Sequence, residues 1–266
     1  MKNLHGVVVW ITGASSGIGE ALVYAFAKAG SRVVLSSRNE QQLHQVRQKA
    51  NLTEENSLVL PLDLERIDTF EEKYQTIKKK FGKLDILVNN AGVSQRSYFK
   101  DTDFSVCQKI MNTNFWGVVA LTKCVLEDFV RQKSGTFVTI TSVTGKVATP
   151  LRTMYAASKH ALHGFFDALR AEHWKDNIDV LLVAPGYVRT NLSYNALRGD
   201  GTPQNILDEG QKHGLSPEKC ASQILDAIRR KKLEIYPAGF KEKLALFLQR
   251  FFPSLWAKIV RNVNVR

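Results

Sequence analysis

The chain has 266 residues, 44% hydrophobic and 23% charged, with 17 glycines and 7 prolines. These are globular proportions, and they exclude a disordered polar chain, a collagen, a coiled-coil rod and a low-complexity segment. The formal net charge of +12 suits either a solvated basic surface or an anionic partner such as nucleic acid or membrane. Part of the excess has a local cause. Lys78-Lys79-Lys80 and Arg229-Arg230-Lys231-Lys232 fall at the ends of predicted helices, where cations complement the negative end of the dipole.

The first predicted strand is Val7–Ile11, followed by a helix over Ile18–Ala29 that stops at Gly30. Arg32–Ser36 is the second strand, Glu40–Ala50 the second helix and Leu58–Leu60 a short third strand. A helix over Thr69–Phe81 precedes the strand Ile86–Val88, which feeds the turn Asn89-Asn90-Ala91-Gly92. Phe104–Arg131 reads as one long helix with Gly117 inside it. The strand Thr136–Thr141, the helix Tyr155–Trp174 and the strand Val180–Val183, stopped by Pro185-Gly186, come next. A helix over Pro217–Arg230 and a last strand over Leu233–Tyr236 complete the pattern.

Apolar strands alternating with helices predict a parallel sheet covered on both faces. The expectation is α/β: a single doubly wound Rossmann domain over residues 1–239, with about seven parallel strands flanked by helices. Residues 191–214 carry Gly199, Gly201, Pro203, Gly210 and Gly214 and show no period, so they are expected to form a substrate lid. Its apolar contacts would come from Leu192, Tyr194, Ala196 and Leu197. Residues 240–266 form a basic amphipathic extension, which Pro253 should divide into two helices. Its first reading is packing over the pocket or at a subunit interface. Its second is a seat in a membrane interface.

Cys107, Cys124 and Cys220 lie far apart, with no disulfide framework and no zinc-ligand spacing. A reducing compartment is expected, and no metal. His160 and His163 read as a satisfied surface or interface pair. The apolar run Val7–Ile11 is far shorter than the ~20 residues of a spanning helix, so a soluble, cytoplasmic protein is expected.

The first strand runs into Thr12-Gly13-Ala14-Ser15-Ser16-Gly17-Ile18-Gly19 and then a helix. Glycines here let a backbone turn tightly and a pyrophosphate approach, and the helix N-terminus offers free N–H groups. The second strand ends at Ser36-Ser37-Arg38-Asn39, with no carboxylate at its tip. A free ribose hydroxyl wants a carboxylate there and a 2′-phosphate wants a cation. Arg38 with Ser37 therefore points to NADP(H) over NAD(H).

Tyr155 and Lys159 are four apart on one helix and share a face. A neighbouring ammonium should stabilise the phenolate and lower the tyrosine pKa. Ser142 follows a strand at the carboxyl edge of the sheet, where it could bond a substrate carbonyl. Asn114 sits mid-helix at a position its propensity disfavours; a packing hydrogen bond is the other reading, and Asn112 competes for the role. Arg152, three residues before Tyr155, reads first as a solvent-facing arginine and second as a contact for an anionic substrate group.

With these motifs in this order, residues 6–237 resemble the short-chain dehydrogenase/reductase family. Gly145-Lys146-Val147 and the stretch from Tyr155 to Leu162 are similar to its 11β-hydroxysteroid dehydrogenase-like branch. Pro185-Gly186-Tyr187-Val188-x-Thr190-Asn191-Leu192-Ser193 is similar to the dehydrogenase/reductase member seven group.

The resemblance implies a strand order of 3-2-1-4-5-6-7 and a catalytic set of Asn114, Ser142, Tyr155 and Lys159. Tyr155 would be the acid or base, Ser142 would orient the carbonyl, and Lys159 would also bind the nicotinamide ribose. Asn114 would hold a water linking Lys159 to solvent. The cofactor would touch Gly13, Ser15, Ser16, Gly17, Ile18, Gly19, Ser37 and Arg38. Asp63 would meet the adenine, and Asn90, Ala91 and Gly92 the ribose side. Pro185, Gly186, Val188 and Thr190 would meet the nicotinamide end. Ser142, Tyr155 and Tyr187 would face the substrate.

The resulting expectation is an NADP-dependent oxidoreductase, a carbonyl reductase acting on a partly apolar steroid-, retinoid- or lipid-like substrate. It would be a homodimer or homotetramer and would bind no nucleic acid. A 3-oxoacyl-carrier reductase and a non-catalytic dinucleotide sensor are the alternatives.

Overall fold

The structure is a computed structural model, and it describes residues 3–263. Its centre is a run of apolar strands in which successive side chains point to opposite faces. In β1 (Val8–Thr12), Val9 and Ile11 enter one core while Val8 and Trp10 enter the other. Both sets are fully buried. β2 (Arg32–Ser36), β3 (Ser57–Val59) and β4 (Ile86–Asn89) join β1 in parallel. β5 (Gly135–Ile140), β6 (Ile178–Val183) and β7 (Glu234–Ile235) continue the sheet on the other side. The order is β3-β2-β1-β4-β5-β6-β7, as the resemblance implies. The chain reverses its direction of travel between β1 and β4, and a crevice opens there at the carboxyl ends.

Helices cover both faces. α1 (Gly17–Lys28), α2 (Glu40–Lys49) and α8 (Pro217–Arg229) pack on the Val9 side. α3 (Phe70–Phe81), α5 (Gly117–Gln132) and α6 (Thr153–Glu172) pack on the Trp10 side. The last strand is shorter than its apolar run suggests, because only Glu234 and Ile235 find partners on β6.

The single helix expected over Phe104–Arg131 is corrected. α4 (Phe104–Met111) passes through one wide π turn, Asn112–Trp116, before α5. The cause is Asn114, which reaches sideways out of the helix. Its Oδ1 accepts from Val93 N at 2.8 Å and its Nδ2 donates to Val93 O at 2.9 Å. Gly117 closes the turn, since a Cβ there would lie 2.4 Å from Leu64 O. Such turns recur at functional sites.

Residues 191–214 hold only α7 (Glu209–Lys212) and isolated bridges, of which Leu197 makes two. α9 (Phe240–Phe251) and α10 (Pro253–Ile259) meet at Pro253, as expected. Among the described residues no helix is long and apolar enough to cross a membrane.

Candidate active site

The crevice between β1 and β4 is a cleft of about 610 Å³, within the range of cofactor sites. Its floor is the glycine turn. Gly13 and Gly17 have φ of +66° and +59°, where a side chain would be strained. Gly19 is needed for close approach, because a Cβ would stand 2.1 Å from Gly13 O. The side chain of Ser16 precedes α1 without capping it, and Ser15, Ser16, Gly17 and Ile18 line the cleft. That is the cradle an anionic dinucleotide needs at a helix N-terminus.

The β4 turn is tied to this cradle. Asn90 Nδ2 donates to Thr12 O at 2.9 Å and Gly13 O at 3.2 Å, while Thr12 Oγ1 accepts from the backbones of Asn90 and Ala91. The sequence places Thr12 at the head of the glycine turn but assigns it no role; the structure makes it the tie to the β4 turn. Asn89 is buried behind, donating to Thr122. Arg38 is exposed at the end of β2 and lines the cleft with Ser37. It forms no ion pair among the described residues. The Ser37 hydroxyl accepts from Asn39 N, and Asn39 caps α2. Asp63 lines the far side, its Oδ1 accepting from Glu65 N at 3.0 Å.

Ser142, Tyr155 and Lys159 converge on the other half of the cleft. Ser142 follows β5, its hydroxyl accepting from Thr144 N at 3.1 Å, and it lines the cleft with Tyr155. Burial raises the Tyr155 pKa, opposed first by the Ser142 side chain and then by the charges of Arg152 and Arg96. The Lys159 ammonium lies 5.9 Å from the Tyr155 ring centre and donates to Ile140 O at 2.9 Å. Burial pushes its pKa down to about 8. Asn114 stands behind the wall with its Nδ2 also on Ser158 Oγ. A Cβ on Gly92 would lie 3.1 Å from Asn114 Oδ1 and 3.5 Å from Lys159 Nζ, so both groups flank one glycine. Asn112 lies outside the cleft, exposed at the start of the π turn.

Pro185, Gly186, Val188 and Thr190 line the cleft, as do Leu192 and Leu197 from the lid segment. The Thr190 hydroxyl accepts from Gln211 at 2.9 Å, which joins this loop to α7. Tyr187 stands outside the lining. Its ring lies beside the Arg152 guanidinium, 5.6 Å away, and against Gly210.

Arg152 is not a solvent-facing residue: it is buried and paired with Asp208 at 3.1 Å. Asp208 also binds Arg96 through two guanidinium nitrogens. Neighbouring Gln95 accepts from Met154 N and Tyr155 N through its Oε1. Sequence reasoning missed Gln95, Arg96 and Asp208. A lone buried charge far from its partner carries no local signal. His163 is corrected too, since it is buried, with Nδ1 3.3 Å from Glu234 Oε1, while His160 is exposed.

A parallel sheet of this order, with a glycine cradle and a Ser–Tyr–Lys set at its carboxyl edge, defines a dinucleotide-type oxidoreductase site. The sequence profile of the short chain dehydrogenase family matches residues 7–200, and the chain belongs to that family. It is an oxidoreductase. It is 42% identical to a dehydrogenase/reductase SDR family protein 7-like of Anopheles gambiae, over 98% of this chain and 84% of that protein. It is 39% identical to dehydrogenase/reductase SDR family member 7 of Homo sapiens, over 97% of this chain and 78% of that one. A short-chain dehydrogenase from Streptomyces avermitilis superposes with a TM-score of 0.82 at 26% identity, covering 97% of this chain and 98% of that one.

Proposed function

We propose that this protein interconverts a carbonyl and a secondary alcohol using NADP(H), with Tyr155 moving the proton. The observation that carries the reading is the convergence of Ser142, Tyr155 and Lys159 on the cleft that also holds the glycine cradle. In reduction, Tyr155 donates its proton to the forming alkoxide, and in oxidation the phenolate takes it back. Ser142 holds the reacting oxygen beside it. Lys159 would bind the ribose hydroxyls, and Asn114 would hold the water that relays protons to solvent. The cradle of Gly13, Gly17 and Gly19 would hold the pyrophosphate, Asp63 the adenine, and Val188 and Thr190 the carboxamide. When bound, the dinucleotide supplies or accepts the hydride.

Arg38 supports NADP over NAD, because the tip of β2 offers a guanidinium and no carboxylate. Val93, Val188, Leu192 and Leu197 line the cleft, which supports a partly apolar, lipid-like substrate. The three unpaired cysteines support a reducing, cytoplasmic setting. The exposed aromatics Phe104 and Trp116 along α4 and the π turn support a homo-oligomer formed through those helices.

Titration with NADPH and NADH, read by nicotinamide fluorescence, tests the cofactor. The expected preference for NADPH is about tenfold or more, ~1.4 kcal/mol, and Arg38→Ala should remove it. Equal binding, or a preference for NADH, would overturn the assignment.

A further inference from the structure

The hairpin of α9 and α10 is apolar on two faces. Its inner face is accounted for: Ala245, Leu248, Trp256 and Val260 pack with Val143 and Val147, just beyond Ser142. Its outer face has no covering among the described residues. Phe240, Leu244, Phe247 and Phe251 recur at helical spacing along α9 and are all exposed, Phe240 at 81% and Phe251 at 63%. Phe252, Leu255 and Ile259 extend the stripe across the Pro253 bend. The Phe247 ring joins the two parts, 4.9 Å from Phe251 and 6.0 Å from Phe252.

Charge selects the occupant. Lys241, Lys243, Arg250, Lys258 and Arg261 are all exposed beside this stripe. The one acidic residue of the segment, Glu242, turns inward, with Oε1 3.5 Å from Tyr187 N. A second copy of the chain would bring a second set of these cations against the first. An anionic bilayer complements them, and its acyl boundary takes the aromatic stripe.

We propose that the outer face of α9–α10 seats the enzyme on the surface of an anionic lipid bilayer, as a peripheral contact that spans nothing. The hairpin's inner face covers the chain just after Ser142, so this seat lies next to the reaction cleft.

Flotation of the full chain with phosphatidylcholine vesicles, with and without phosphatidylserine, tests it. The expected result is about tenfold or more stronger binding to the phosphatidylserine vesicles, weakening as salt rises. Phe247→Glu with Phe251→Glu should abolish binding and leave the thermal midpoint unchanged, since both side chains are exposed. Lys241→Glu with Lys258→Glu should remove the lipid preference. Absence of binding to either vesicle overturns the proposal. So does a concentration-dependent dimer, seen by light scattering, that the phenylalanine variant dissolves, because the face would then belong to a second copy.

Discussion

Asp208 and Arg96 lie 112 residues apart in the chain, yet the carboxylate grips the guanidinium with both side chains almost wholly buried. Asp208 belongs to the lid segment and Arg96 to the loop after β4. Arg152, at the start of the helix that carries Tyr155, shares the same carboxylate. One acid thus ties three parts of the site together and balances two cations that bear on Tyr155.

Asp208→Asn should cost about 3–5 kcal/mol, read from the urea midpoint, because it leaves two buried guanidiniums with no acid. It should also change the pH profile of alcohol oxidation. Losing the carboxylate leaves more positive charge near the phenol and favours the phenolate, so the acid limb should move to lower pH. A loss of stability with an unmoved limb would separate this residue from the chemistry.

Lys159 gives a second pH signature. Burial brings it down to about 8, so its charge is present below that pH and lost above it. Dinucleotide affinity should fall as pH rises through about 8. In Lys159→Met it should be weaker and flat across the same range. A flat wild-type curve would remove the ammonium from cofactor binding.

His163 predicts a stability effect remote from the dinucleotide. Burial, then the charge of Lys146, holds its pKa down at about 4, against an ordinary 6.5. The folded state therefore prefers the neutral ring. That preference costs nothing above pH 6.5, and stability is lost as pH falls from there through about 4. Urea midpoints should drop over this window, and His163→Leu should drop less. Equal drops would mean that the histidine titrates freely.

Gly19→Ala tests the cradle. Its Cβ would collide with Gly13 O, so the turn must open. A loss of about 1–3 kcal/mol in stability is expected, together with a loss of dinucleotide affinity by fluorescence titration. Unchanged affinity would show that the turn does not hold the cofactor.

Much of this was legible in the residues. Alternating apolar runs marked all seven strands, and the glycine turn, Ser142 and the Tyr155–Lys159 spacing marked the cleft, because each is a local pattern. The π turn was hidden, since it depends on Asn114 meeting Val93 from another part of the chain. The Arg96–Asp208–Arg152 cluster was hidden for the same reason, and Arg152 looked like a surface residue without Asp208 beside it. Pro253 announced the bend between α9 and α10, but only packing separates the inner stripe from the outer one.

The most direct measurement is turnover by Tyr155→Phe beside its affinity for NADPH. The phenyl ring keeps the packing and removes only the hydroxyl. Turnover should fall by about 10²–10⁴-fold, with affinity nearly unchanged. Turnover close to wild type would contradict Tyr155 as the proton donor and with it the mechanism.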